Sequence, residues 1–517
     1  MKKIILIIVL LSSLIAVSCE DKLDVNPTNK ISGISIMDNA NSAMMALHGI
    51  YRYMFEFGET TTGNTHQCFG PQSYSLMADV MGEDLIMTKQ GSGWFWYDYV
   101  YDVKRRSHLS TWRSYDVWNF YYQLIARVNY IIAAEETMQG NKADVNKVVG
   151  QAYALRAYSY HYLAMMFSRT FNGHQTEKCV PIYREPTTSA TKGEPRATVA
   201  DVYSLIRSDI DIAIDLLKDA TVRESNEKSQ IDYQVANAFK ANICLTTNEW
   251  DEAAKAAQNA QIGFSVGTSE DVVALGGVKS SFNDISKSNV MWGAEIILDQ
   301  KTTNPQFMAH MDPDKDGYGS RGSGAPKVIN KWLYSKLGAN DIRRAWWLPN
   351  DEVPYIQAKF KFYDYSNWMA DRIYLRVEEM ILVEAEALCR QGKDILAQDA
   401  LMKLMSKRNP NYSVTKTGTA LGTLTTDETG SLLEEILIQR RLELWGEHGR
   451  VYDIKRLKQG FIRTTDMGHP SLGVNAIASL KLDNPETYDW VLTIPQAEID
   501  ANENISPTDQ NPLDSGI

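Results

Sequence analysis

The run Val148 to Phe167, VVGQAYALRAYSYHYLAMMF, constrains the fold of this chain more than any other stretch. Val148, Ala152, Leu155, Tyr158, Tyr162 and Met166 recur at helical spacing, while Tyr153, Ala157, Tyr160 and Ala164 form a second apolar or small-residue face on the same helix. A helix that is apolar on two sides must be wrapped on two sides. Gly150 and the alanines let neighbouring helix backbones approach closely, and no Pro or β-branched residue interrupts the run after Val149. The pattern predicts the central member of a stack of helix pairs, not the scaffold of a catalytic sheet.

The length, 517 residues, exceeds the usual size of one hydrophobic core and predicts either two domains or an elongated helical array. Twelve Trp and 26 Tyr require many partners for polar ring edges, and some of these rings belong on the surface. A net charge of -11 argues against nucleic acid, whose phosphates need a basic face.

At the N-terminus, Lys2 and Lys3 precede an apolar run from Ile4 to Val17, too short to span a membrane and suited to a signal-peptide core. The run ends Leu14-Ile15-Ala16-Val17-Ser18-Cys19, which resembles the lipobox of bacterial lipoproteins. On that resemblance residues 1–18 are a signal peptide and Cys19 is the acylated first residue of a protein tethered to a membrane but not inserted in it. Residues 19–37 read as an extended tether, and Glu20, Asp21 and Asp24 resemble the surface-export signal of Bacteroidetes lipoproteins. Of the four other cysteines, Cys244 and Cys389 sit in helical patterns as small buried hydrophobes. Cys68 and Cys179 fall in polar loop stretches where they can pair, but no disulfide framework is expected.

Along the chain, helices are predicted over 40–57 with an Asp38 or Asn39 cap, over 110–138, and over 198–217. The stretch 59–106 loses periodicity. It is glycine-rich, ends in Trp94-Phe95-Trp96-Tyr97-Asp98-Tyr99, and reads as a long functional loop or lid. Residues 232–246 and 250–260 make a tight pair across Asn248 that looks like a tetratricopeptide unit, with a Trp opening its second helix. A similar pair recurs at 374–390 and 394–407, and with the longer pairs upstream suggests about four repeats. Between them, 263–371 reads as an irregular lobe with a strand-like run at 290–298 and Trp292, Trp332, Trp346, Trp347 and Trp368. A helix over 432–447 and an extended, turn-rich tail packing across the lobe complete the chain.

Taken together, the lipidated Cys19, GQAYALRAYSYHYLAMMF leading to VPIY and PRATVADVYSLIRSDIDIAI, the helix RRLELWGEHGRVYDIKR and the terminal IPQAEIDANENI with QNP resemble the SusD/RagB family of Bacteroidetes outer-membrane lipoproteins. The resemblance covers essentially the whole mature length. It implies a mainly α fold of tetratricopeptide-like helix pairs, over about 38–262 and 372–458, packed against an irregular lobe from about 58–106, 263–371 and 459–517. It also implies capture of glycans for a SusC-type TonB-dependent transporter, with peptide or other nutrient capture, or a docking-only role, as alternatives.

A glycan site needs aromatic platforms for sugar C–H faces and a few hydrogen-bonding side chains. The resemblance points to Trp94, Trp96 and Tyr97, with Asp79, Glu83 and Asp84 as polar companions; Tyr318 and Trp292 are further candidates that match no motif. No nucleophile elbow, zinc-protease motif or phosphate-binding glycine loop is present, and binding without catalysis is expected. Asp312, Asp314, Asp316 and Gly317 match the start of an EF-hand loop, but its twelfth position is Ser323, so an Asx-rich turn is favoured over a calcium site.

Overall fold

The computed structural model describes residues 37–59, 63–102, 112–273, 276–471 and 477–512. The signal peptide, Cys19 and the tether up to residue 36 lie outside the described residues. Helices of eight residues or more are α1 (Ala40–Tyr53), α2 (Pro71–Met81), α3 (Trp112–Ala133), α4 (Lys142–Phe167), α5 (Val199–Lys218), α6 (Tyr233–Thr247), α7 (Trp250–Gln261), α8 (Val377–Arg390), α9 (Asp394–Arg408), α10 (Leu432–Glu443) and α11 (Arg450–Leu457).

Side-chain caps start five of these eleven helices. Asn39 accepts from the Ser42 amide at α1, Asn141 from Asp144 at α4, Asp232 from Val235 at α6 and Ser431 from Glu434 at α10, while Thr198 and Asp201 form a reciprocal capping box at α5. Asn248 takes the left-handed conformation (φ 63°) that turns α6 into α7. The chain is mostly helical, with tetratricopeptide-like repeats.

The central helix α4 is wrapped as its two apolar faces require. It packs against α1, α3, α5 and α6, and the array continues through α6–α7, α7–α8 and α8–α9. At Gly150 a Cβ would sit 2.8 Å from Leu217 Cγ, so α5 crosses this helix at a distance only glycine permits.

The strands are short: β1 (Leu85–Met87), β2 (Lys178–Pro181), β3 (Arg196–Thr198), β4 (Val290–Ala294), β5 (Lys327–Ile329), β6 (Trp347–Leu348), β7 (Ile356–Gln357), β8 (Arg372–Arg376), β9 (Phe461–Ile462) and β10 (Lys481–Leu482); β2 and β3 pair with each other beside α4 and α5, and most of the others build the lobe. One antiparallel sheet runs β1-β5-β7-β6, pairing Leu85 with Ile329. β4 pairs with β8, which runs directly into α8 and so joins lobe to scaffold.

Several expectations are corrected. The stretch 59–106 is not one loop: α2 lies within it and buries nine of its eleven residues, so it has no polar stripe to reveal a helical period. The helix expected over 432–447 stops at Glu443, and Gly446 and Gly449, both at positive φ, turn the chain into α11. Cys68 and Cys179 are buried free thiols: Cys68 lies in irregular chain after a 3-10 turn, whereas Cys179 belongs to β2, its Sγ 3.6 Å from Ser168 Oγ. The C-terminal segment straps the scaffold and does not cross the lobe. The Leu492 amide donates to Met166 O (2.7 Å), Asn511 Nδ2 donates to Phe167 O (2.8 Å), and Arg196 Nη2 donates to Asn511 Oδ1 (2.8 Å). The first two bonds satisfy carbonyls at the C-terminal end of α4, where no further turn supplies donors.

Candidate functional site

A half-buried aromatic arrangement near the surface is held in place by a buried ion pair. Arg113, 1% exposed on α3, donates to both oxygens of Asp98 (3.1 and 2.7 Å) and to the backbone and side-chain carbonyls of Gln67 (2.9 and 3.2 Å). Gln67 Oε1 also accepts from the Phe95 amide at 2.8 Å. This network ties the segment before α2 to the turn at 95–99, while Gly70 lets the start of α2 pass the end of α1, where a Cβ would fall 1.9 Å from Met54 O. Phe95 itself is fully buried at φ 61°, with its ring 5.0 Å from His310 and 6.2 Å from Phe69. Its left-handed backbone separates its neighbours, leaving Trp94 half-buried at the surface while Trp96 opens a helical turn and is buried against Tyr99.

Trp94 meets two rings from distant segments. His66 lies 5.4 Å away and Tyr318 5.9 Å away at 66°, while His66 and Tyr318 are 5.6 Å apart and share a hydrogen bond between Nδ1 and the phenol. Tyr318 is carried by the glycine-rich loop 312–324, seated so closely that a Cβ at Gly319 would lie 2.6 Å from His310 O. His310 Nε2 donates to the His66 carbonyl at 2.7 Å, and burial pushes the His310 imidazole far below its ordinary pKa, so it stays neutral. Burial raises the Tyr318 phenol, and the Trp94 indole partly opposes that shift. The result is a corner of three half-buried rings, with exposed Gln90 and Ser92 just before Trp94 in the chain and exposed Ser323 shortly after Tyr318.

Two family models match the sequence, one described as starch-binding and associating with the outer membrane over residues 72–245, the other as the SusD family over residues 299–513. The chain belongs to the SusD/RagB family. SusD-like protein P38 of Formosa agariphila is 23% identical, the alignment covering 87% of this chain and 90% of that protein. Among solved structures, a SusD-like carbohydrate binding protein from Bacteroides vulgatus superposes with a TM-score of 0.74 at 23% identity, covering 92% of this chain and 98% of that one. The surface glycan-binding protein A from Bacteroides fluxus superposes with a TM-score of 0.65 at 17% identity, covering 91% and 99%. Among the described residues of this SusD-like chain, no helix is long and apolar enough to cross a membrane.

Of the residues nominated from the SusD/RagB resemblance, the fold brings together Trp94 and Tyr318, places half-buried Tyr97 on the adjacent turn, and adds His66. Nothing in the sequence around His66 marks it, because its role arises from a contact 252 residues away. The remaining candidates lie elsewhere. Trp96 is 7% exposed, and Trp292 is buried among Tyr158, Phe239 and Tyr374, with its indole donating to Ser229 O at 3.0 Å.

Glu83 and Asp84 serve arginines, Asp79 serves backbone amides, and none of the three serves a surface. Arg441 grips Asp84 with two bonds of 2.8 and 2.7 Å and reaches Glu83 at 3.0 Å, while Arg450 donates to Glu83 at 2.9 Å. Burial raises the Glu83 carboxyl, but the guanidiniums of Arg450 and Arg441 more than reverse this and hold it at about 2. Asp79 receives only backbone amides, including Arg450 N at 2.8 Å, and burial pushes its carboxyl up to about 8.

The EF-hand-like stretch of this family member is an Asx turn. Asp312 is buried, accepting from the amides of Asp314 (2.9 Å) and Phe362 (2.8 Å). Asp314 is held by Arg321 and Lys361, and Asp316 accepts from Ser323 Oγ at 3.0 Å. The three carboxylates therefore have separate partners and do not converge on a point.

Proposed function

We propose that this chain is a cell-surface glycan-binding lipoprotein, anchored through Cys19, that captures oligosaccharides or polysaccharides and delivers them to a SusC-type TonB-dependent outer-membrane transporter. The observation that carries the reading is the corner of Trp94, His66 and Tyr318, where rings meeting at 66° offer a platform and a wall to a sugar ring's C–H faces. Family membership and the carbohydrate- and glycan-binding relatives support it. The role is capture without chemistry: the corner's titratable groups are the aromatic-packed His66 and Tyr318, with no carboxylate in the trio to act as a glycosidase acid or nucleophile.

The test is a glycan-array screen of protein beginning after Cys19, beside a Trp94→Ala/Tyr318→Ala variant with an unchanged melting temperature. Wild type is expected to bind one glycan class, and the variant to lose at least about tenfold in affinity, since such aromatic contacts dominate small polar sites. Undiminished binding by the variant would refute the site. Binding of peptides in place of glycans by wild type would move the reading to peptide capture.

A further inference from the structure

The loop that carries Tyr318 also reaches a second aromatic feature. Residues 363–369 form a tight hairpin closed by a bridge between Asp364 and Met369. The Asp364 carboxylate accepts from the amides of Ser366 (2.8 Å) and Asn367 (3.1 Å) and from the Asn367 side chain (2.8 Å). Near its end Trp368 stands at φ 59°, a conformation that bulky residues adopt only where their surroundings impose it. The surroundings here are Gln306, whose Nε2 donates to Trp368 O at 3.3 Å, and Phe362, whose ring meets the indole at 78° and 5.5 Å.

Lys315 connects this hairpin to the candidate site. Its ammonium lies 4.3 Å from the centroid of the half-buried Trp368 ring and donates to Tyr365 O at 2.8 Å. The neighbouring Asp314 is already held by Arg321 and Lys361, so the Lys315 charge is spread over a ring and a carbonyl. Lys315 precedes Tyr318 by three residues, which sets their Cα atoms no more than about 11 Å apart. One short loop therefore carries Tyr318, against Trp94 and His66, and Lys315, over Trp368.

We propose that Lys315 and Trp368 form a second glycan station, so that the face takes an extended oligosaccharide across the loop and not a single sugar. The proposal rests on the reading of Trp94 and Tyr318 as a glycan site. At the second station the indole rim packs against sugar C–H groups and the ammonium, with three donor hydrogens, serves hydroxyls. Two linked stations make the second contact intramolecular, so affinity climbs with chain length once a ligand spans both.

The experiment is calorimetric titration with a series of increasing chain length from the glycan class that wild type binds. Wild-type affinity is expected to rise steeply at one length. Trp368→Ala and, separately, Lys315→Met are each expected to flatten that rise, losing about tenfold on the longest ligands and little on the shortest. Lys315→Met leaves the hairpin backbone and most of the stem packing in place, so it decides the matter if Trp368→Ala lowers the melting temperature. Trp94→Ala is expected to weaken every length. A wild-type length profile in both second-station variants overturns the proposal while leaving the first site standing. Absence of binding by wild type at any length overturns both readings.

Discussion

At the scale of single residues, the carboxylate of Asp79 is buried at a high cost. It is 5% exposed, it has no cationic partner to match the grips on Glu83 and Asp84, and its Oδ2 lacks a hydrogen-bond partner within the protein. With a folded pKa of about 8 against an ordinary 3.8, the folded state holds a proton that the unfolded state releases between those values. That contribution is fully present below the ordinary pKa and lost as pH rises towards 8. Asp79→Asn keeps an acceptor for the Arg450 amide and removes the proton uptake. It is expected to stabilise the protein at pH 7 by up to about 4 kcal/mol and to have little effect near pH 4. Denaturant melts at the two pH values check this, and equal shifts at both would reject it. The same residues show where reading a sequence stops. Asp79, Glu83 and Asp84 look like polar companions of an aromatic loop because the arginines that claim Glu83 and Asp84 lie more than 350 residues further on. Trp94 and Tyr318 were legible as large rings beside glycines, whereas their meeting, and His66 between them, belong to tertiary structure.

At the scale of elements, helices with one buried stripe were readable to within a residue or so, as α5, α6 and α7 illustrate, and the C-terminal end of α4 was too, although α4 begins at Lys142, six residues before the run that marked it. The helix α2 was not, because burial on nearly every side erases the period. The seam between α4 and α5 offers a test of close approach. Replacing Gly150 with Ala gains about 1 kcal/mol of intrinsic helix propensity. Against that, the new methyl group would press on Leu217 Cγ at 2.8 Å and Leu216 Cβ at 3.2 Å inside a filled core, an overpacking cost of about 1–3 kcal/mol. The packing term wins on these magnitudes. Gly150→Ala is expected to be destabilising by about 1 kcal/mol in chemical unfolding, and a stabilised variant would show that the two helices can separate at no cost.

At the scale of the whole molecule, buried charge stitches lobe to scaffold. Glu443 on α10, with no exposed surface, accepts from Arg408 of α9 (3.0 and 2.9 Å) and from Arg376 of β8 (3.2 Å), and lies 3.5 Å from Arg343 of the lobe. Removing one partner from such a network strands the others in the interior, which is why its members act together. The strap over the end of α4 has a different consequence, one of timing. Asn511 closes a loop of 344 residues on Phe167, and contacts so distant along the chain tend to form late because loop closure comes before their reward. Bonds absent from the folding transition state influence the rate of leaving the native state and not the rate of reaching it. Asn511→Ala removes donors to Phe167 O and Leu492 O and an acceptor for Arg196. In stopped-flow measurements it is expected to leave the refolding limb unchanged and accelerate unfolding about tenfold, whereas a slowed refolding limb would place the strap in the nucleus. The strap is then a latch on lifetime: it sets how long a folded molecule persists before it opens.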